Sequence, residues 1–359
     1  MRLLRAVRPA LLLLIAAFLV FAPPYLLRGL SQDYVHAVFE PEPITWRGVL
    51  KVWHIVEFRT YQGSVTSHLS ARVEAFSKSH PGVFFEVTGM TAEEFAERYA
   101  RGDRPDVYSF PCGLLYREQL QALPEAPAAL SALRPGLSAA TADGAVYAVP
   151  YLMSGYFLLM NTQRPFLAGA RPPAAPEEAD LQAALDAGEL AIPAVQAAVL
   201  GLTGTPGETA DFSAGKLAYA VADARALGDL QRATGGNVLL SALPVTGYTE
   251  QVQYLAAAAE TDETRCAIVL ELADFLLSGD EQARLASLGA FPVVTEAQTA
   301  YAEHLLTDWQ AACGDIAAPD PFLFQRHREA LEADALRALA GEAGGADAFS
   351  ERFQVVLNR

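Results

Sequence analysis

The stretch GVLKVWHIVEFRTYQGSVTSHLSARVEAFSKSHPGVFFEVTGMTAEEFAERYARGDRPDVYSF (48–110) carries the reading of the fold. VLKVWHIV (49–56) is a short apolar run of strand character. A Gly-Ser step separates it from a helical segment, 64–79, in which Val65, Leu69, Val73 and Phe76 share one face. His80-Pro81-Gly82 stops that helix, as Pro and Gly should, and VFFEV (83–87) is a second strand. Thr91-x-x-Glu94 is a capping box that opens a helix running to about residue 101, and DVYSF (106–110) is a third strand. Strands separated by crossover helices predict a parallel, doubly wound sheet, and such sheets bind ligands in the crevice beyond their strand C-termini. The loops 54–63 and 111–113 are the expected lining of that crevice.

Composition sets the class of chain around this unit. Of 359 residues 52% are hydrophobic and 19% charged, enough for a sizeable core and against disorder of the whole chain. The formal charge is −16, and residues 1–28 contain four Arg and no acid, so the remainder of the chain is more acidic still. Phosphate backbones need a basic face, so nucleic acid is excluded as a general partner. Cys112, Cys266 and Cys313 lie far apart without metal-ligand spacing, and three buried thiols are expected rather than a disulfide framework.

Between Arg8 and Arg28 run nineteen uncharged residues, PALLLLIAAFLVFAPPYLL, close to what a helix needs to cross a bilayer. Three arginines before the run and one after it place the N-terminus on the cytoplasmic side and the folded part outside. Val20-Phe21-Ala22 resembles a signal-peptidase site, but Pro23-Pro24 follows directly. An uncleaved anchor is therefore preferred over secretion after cleavage. Residues 1–29 are assigned to this segment and 30–46, with its Pro-Glu-Pro, to an extended spacer.

Downstream, AVYAVPY (145–151) and GYFLLMN (155–161) are strands in quick succession around Ser154-Gly155. Residues 165–210 are rich in Ala, Pro and Gly, with helical pieces near 177–187 and 192–200. GKLAYAV (215–221) and VQYLAAA (252–258) read as buried strands, and 262–277 as an amphipathic helix with Ile268, Leu272, Phe275 and Leu276 on one side.

Six segments, taken in order, resemble the extracellular solute-binding proteins of bacterial ABC importers, family 1, the maltose-binding-protein-like receptors for oligosaccharides. They are VLKVWH (49–54), ARVEAFSKSHPGVFFEV (71–87), RPDVYSF (104–110), DGAVYAVPYLMSGYFLLMN (143–161), DFSAGKLAYAV (211–221) and the run YLAAAAETDE to GAFPVV (254–294). The resemblance implies a two-lobed α/β periplasmic-binding-protein-like fold (type II), and the uncharged run puts one N-terminal transmembrane helix before it, where relatives usually carry a lipid-anchoring cysteine. The resemblance also implies a small solute bound by hinge closure, ABC permease subunits as partners, a monomer, and no cofactor. Lobe 1 is expected to hold 47–152 plus 255–297, and lobe 2, reduced by the short 162–211 stretch, 153–254 plus 298–359.

Carried over residue by residue, the resemblance puts the first contact loop on His54, Glu57 and Phe58, an aromatic platform on Phe110, and backbone donors on Cys112 and Gly113. It puts a polar contact on Ser154, with Gly155 allowing close approach. Tyr151 and Tyr156 point opposite ways along an extended chain, so at most one faces the cleft, and Tyr151 is carried as the candidate. Relatives often follow the FSAGKLAYAV strand with a Trp that stacks on sugar; here Arg225 stands in that stretch, a planar cation suited to carboxylate or phosphate or else paired with Asp223 or Asp229. Tyr248 is a loop aromatic, and Thr249-Glu250-Gln251 replaces a usual Gly-Gly. No GxSxG, HExxH, P-loop or strand-borne GxGxxG is present, so no enzyme is expected. An extracytoplasmic sensor or assembly subunit that keeps the fold without transport is the alternative.

Overall fold

The computed structural model describes residues 46–162, 178–233, 240–245, 247–297, 299–314 and 316–358. The expected membrane segment, nearly all of the spacer and part of the Ala/Pro-rich stretch lie outside these residues, and among the described helices none is long and apolar enough to cross a membrane.

β1 (Gly48–Ile55) leads through α1 (Val65–Ser79) to β2 (Val83–Met90), and α2 (Ala92–Ala100) returns the chain to β3 (Val107–Pro111). Short β4 (Leu120–Gln121) and β5 (Ala140–Ala142) precede the long β6 (Ala145–Met153) and β7 (Tyr156–Asn161). Then come α3 (Glu178–Asp186), β8 (Leu190–Ala191), α4 (Ala194–Val199), α5 (Thr209–Ser213), β9 (Tyr219–Asp223), α6 (Ala224–Ala233) and β10 (Leu240–Val245). β11 (Val252–Ala258), α7 (Glu263–Leu277), α8 (Gly279–Ala283), α9 (His304–Ala312), α10 (Pro321–Leu339) and α11 (Gly345–Val356) complete the order.

The helices begin and face as their sequences dictate. Ser64 caps α1 by accepting from the Ser67 amide, and Val65, Leu69, Val73 and Phe76 are its buried residues. The Thr91 capping box closes in both directions, Glu94 N to Thr91 Oγ1 at 3.2 Å and Thr91 N to Glu94 Oε2 at 3.0 Å. Phe76 meets Phe85 of β2 and Phe275 of α7 edge-on, while Phe95 of α2 meets Trp53 and Tyr108 in the same manner. Each large apolar side chain so buried stabilises the fold by about 1.5–3 kcal/mol.

The first sheet runs β2-β1-β3-β11-β6-β5, with β4 paired to β11. β1, β2 and β3 are parallel, as expected, but β11 is antiparallel to both β3 and β6, so the sheet is mixed rather than wholly parallel. The reason is connectivity. β11 enters from a second sheet and crosses the first against the direction of β3. That second sheet is four-stranded, β10-β7-β9-β8, and its core gathers Leu158, Met160, Leu185, Leu190, Tyr219 and Leu339. The strand expected at 215–221 begins only at Tyr219. Gly215, at φ +74°, closes α5 first, and Lys216 N bonds back to Asp211 O.

The chain passes between the sheets at 153–156, at 245–252 and again before α9. These crossings are tied to one another. Ser154 N donates to Gln251 O at 2.8 Å, and Thr249 Oγ1 donates back to Ser154 O at 3.1 Å. Trp309 of α9 is fully buried, stacks on Phe291 at 3.9 Å and donates Nε1–H to Tyr156 O at 3.1 Å.

Candidate functional site

A cavity of about 350 Å³ opens where these crossings meet both sheets. The loop after β1 brings Glu57, Phe58 and Arg59, and the end of β3 brings Pro111 and Cys112. From the other side come Tyr156 at the start of β7, Asp223 and Arg225 at the β9–α6 junction, Glu250 and Gln251 on the second crossing, and Arg328 on α10. An adjoining hollow of about 220 Å³ shares Phe58, Arg59 and Arg225, and another of about 250 Å³ shares Tyr156, Glu250 and Arg328 and reaches Tyr248 and Phe324.

Of the residues expected from sequence, Glu57, Phe58, Cys112 and Arg225 line the main cavity and Tyr248 lines the second hollow. Arg225 is ion-paired and also reaches the cavity wall. Its Nε–H donates to Asp229 Oδ2 at 3.0 Å, while its side chain, 29% exposed, borders the cavity. Asp223 instead caps α6, its Oδ1 accepting from Ala226 N at 2.7 Å. Burial pushes the Cys112 thiol well above its ordinary range, so it enters the lining as an uncharged group.

Four expectations are corrected, and two glycines gain a packing reason for their size. His54 is 1% exposed and lies inside the first sheet, its Nδ1 2.8 Å from Ser109 Oγ, and burial holds its pKa at about 4, so the ring is neutral. Tyr151 joins the same interior network through its hydroxyl, 2.8 Å from Ser109 Oγ, and Gln253 Nε2 donates to that oxygen at 3.1 Å. Phe110, fully buried, stacks on Tyr254 in the core and is not a platform. Ser154 is likewise buried and ties crossings together through its backbone. Gly155 is small because of Trp309: a Cβ there would sit 2.1 Å from the indole. Gly113 has φ +78°, and a Cβ there would meet the Phe324 ring at 2.4 Å.

Beyond the carried candidates the lining holds Tyr156, the alternative to Tyr151, together with Arg59, Asp223, Glu250, Gln251 and Arg328. The Tyr156 hydroxyl donates to Glu250 Oε1 across two crossings. Burial raises the Glu250 carboxyl above its ordinary value, the Tyr156 hydrogen bond pulling the other way, and burial likewise raises Asp223. Arg328 Nη1 lies 3.5 Å from Glu57 Oε2, and its Nε 3.3 Å from Glu332 Oε1. The Tyr151/Tyr156 alternation, the 54–63 loop and the Thr249-Glu250-Gln251 departure pointed to parts of this set; Arg328 comes from a distant helix that no local pattern connects to the cleft.

The arrangement is equipped for recognition, with guanidinium donors, carboxyl and amide acceptors and an aromatic wall of Phe58 and Tyr156. Among the described residues no cluster of His, Cys, Asp or Glu gathers to hold a metal ion. Two α/β bodies linked by crossing strands are the fold shared with solved maltose- and sugar-binding proteins.

Particular solved structures match the chain almost end to end. The GacH receptor of Streptomyces glaucescens, known unliganded and with acarbose, is 17% identical at a TM-score of 0.60, covering 87% of this chain and 99% of its own. The cyclic α-maltosyl-1,6-maltose binding protein of Arthrobacter globiformis is 16% identical at a TM-score of 0.63, with the same coverages. The sugar-binding protein MalE of Xanthomonas citri is 15% identical at a TM-score of 0.61, covering 87% and 97%. At such identities what is shared is the fold. No family model and no curated protein sequence matches the chain.

Proposed function

We propose that this chain is an extracytoplasmic receptor that captures a small, carbohydrate-like solute between two lobes and hands it to an ABC permease. The observation that carries the reading is the polar cleft of about 350 Å³ placed where the crossing strands meet, a region to which both bodies contribute side chains. Lobe 1 is taken as 47–152 plus 255–297 and lobe 2 as 153–254 plus 298–359. Closing them lets Glu57, Phe58 and Cys112 approach a solute from one side and Arg225 and Tyr156 from the other. A solute that gains contacts only when the lobes close shifts the population by that difference in affinity. Such a protein performs no bond chemistry. The uncharged run before Arg28 supports tethering at the outer face of the membrane, with the receptor acting as a monomer.

The test is a thermal-unfolding screen of the full chain, in mild detergent, against oligosaccharides, uronic acids, sugar phosphates and amino acids. A solute at 100 times its Kd adds about 2.7 kcal/mol of stability, read as a raised midpoint. No shift from any class with a folded protein would refute the receptor reading and favour a sensor or assembly subunit.

A further inference from the structure

The cleft carries an imbalance between its acids and its bases. Each of its three carboxyls is already engaged: Glu57 by Arg328, Asp223 by the Ala226 amide at the start of α6, and Glu250 by the Tyr156 hydroxyl. The guanidiniums are not equally satisfied. Arg59 makes no ion pair among the described residues, and Arg225 spends its Nε–H on Asp229 while its Nη groups have no partner among them. Arg59 and Arg225 border both the main cavity and the adjoining hollow, so two guanidiniums with unspent N–H donors line one space. In a chain with 42 acidic and 26 basic residues, that local excess of open cationic donors runs against the overall charge.

A second observation concerns the acceptor side. Gln251 borders the cavity, is only 6% exposed, and its Oε1 is buried without a hydrogen-bond partner. A buried acceptor left unmet costs stability unless something donates to it. Arginine forks bind carboxylate or phosphate through paired N–H bonds, and a buried amide oxygen accepts from an O–H or N–H such as a sugar hydroxyl.

Resting on the receptor reading, we infer that the solute of this cleft is an acidic carbohydrate. Its oxyanion sits between Arg59 and Arg225, and a ring hydroxyl donates to Gln251 Oε1. The strand ending at Asp223 is followed by a cation, Arg225, and the aromatic wall of Phe58 and Tyr156 bounds the hydroxylated body. Carboxylate and phosphate satisfy the same forks, and the choice between them is left to the ligand arms of the test.

The experiment is isothermal titration of the full chain in detergent with four probes: glucuronate, galacturonate, glucose 6-phosphate and neutral glucose. Each is repeated with Arg59→Gln, Arg225→Gln and Arg225→Lys. The expected result is at least tenfold tighter binding of an acidic probe than of glucose. That preference should fall at least tenfold in either Gln variant, be partly kept in Arg225→Lys, and weaken as salt is raised. Uronates ahead of the phosphate identify a carboxylate, the reverse order a phosphate. Glucose binding as tightly as the acids, unchanged in the Gln variants, would overturn the inference while leaving the receptor reading intact. Failure of all four probes, with no solute of any class detected in the thermal screen, would overturn both. Both arginines are solvent-accessible, and circular dichroism of the variants separates lost binding from lost folding.

Discussion

Replacing Gly155 by alanine tests why the first crossing is built as it is. A Cβ there would lie 2.1 Å from Cζ2, 2.4 Å from Cε2 and 2.8 Å from Nε1 of Trp309. Carbon–carbon contacts rest near 3.5–4.0 Å, so the indole must withdraw by about 1.5 Å. It is pinned on its other sides by the 3.9 Å stack on Phe291 and by the 3.1 Å hydrogen bond to Tyr156 O. Overpacking of a tight core costs about 1–3 kcal/mol, and loss of the indole hydrogen bond adds about 1, so Gly155→Ala should destabilise by about 2–4 kcal/mol. Backbone strain does not enter, because Gly155 is not among the glycines at positive φ. Trp309→Phe, a large-to-small change at a fully buried site, should cost roughly 2 kcal/mol alone but absorb most of the Gly155→Ala penalty, a coupling of about 1–2 kcal/mol. Urea unfolding of the four proteins, followed by far-ultraviolet circular dichroism, measures the cycle. Additive costs, or a Gly155→Ala protein within about 0.5 kcal/mol of the parent, would refute the packing account. Unchanged stability with weakened solute binding would restore the role expected from sequence, a glycine kept small for a ligand.

Three further outcomes are expected. The folded chain keeps the Glu250 proton above the ordinary value of 4.5, so its stability falls as pH climbs from 4.5 through the raised value and then levels. Glu250→Gln should reduce that fall to the part contributed by Asp223, whose carboxyl burial also raises, and a variant whose pH–stability curve parallels the parent's would count against it. His54 has the opposite sign: burial lowers its pKa from 6.5 to about 4, so up to roughly 3 kcal/mol is lost as pH falls through that window. His54→Gln should flatten the acid limb, and an equally steep limb would show that the ring is charged or exposed. Asp320 Oδ1 accepts from Phe322 N and Leu323 N at 2.9 Å each, so Asp320→Ala should cost about 1–2 kcal/mol in urea unfolding. A change under about 0.3 kcal/mol would mean the cap does not hold α10.

Local elements were the most legible part of the sequence because each is fixed by its own residues. The Val65-Leu69-Val73-Phe76 face, the Thr91 box and the strand 252–258 all stand as read. Sheet direction was not, since it depends on where β11 comes from, and no local pattern records that. Candidate contacts failed for a related reason. In a strand buried on both faces, hydrophobic alternation disappears, so His54, Phe110 and Tyr151 offered no sign of which way they point. The acid–base set around Glu250 and Arg328 is assembled by tertiary packing of a crossing and a C-terminal helix, and neither residue carries a motif of its own.

The central place of β11 bears on how the chain is made. β3 has β1 on one edge, and its other edge stays bare until Val252–Ala258 has been synthesised and delivered. Closing so long a loop is slow, because its entropy is lost before any ladder forms to offset it. The N-terminal part cannot complete its sheet until β11 has left the ribosome, so β1, β2 and β3 wait for a partner made about 140 residues later. The same open edge is a site where holding chaperones gain purchase, and where crowded nascent chains pair wrongly.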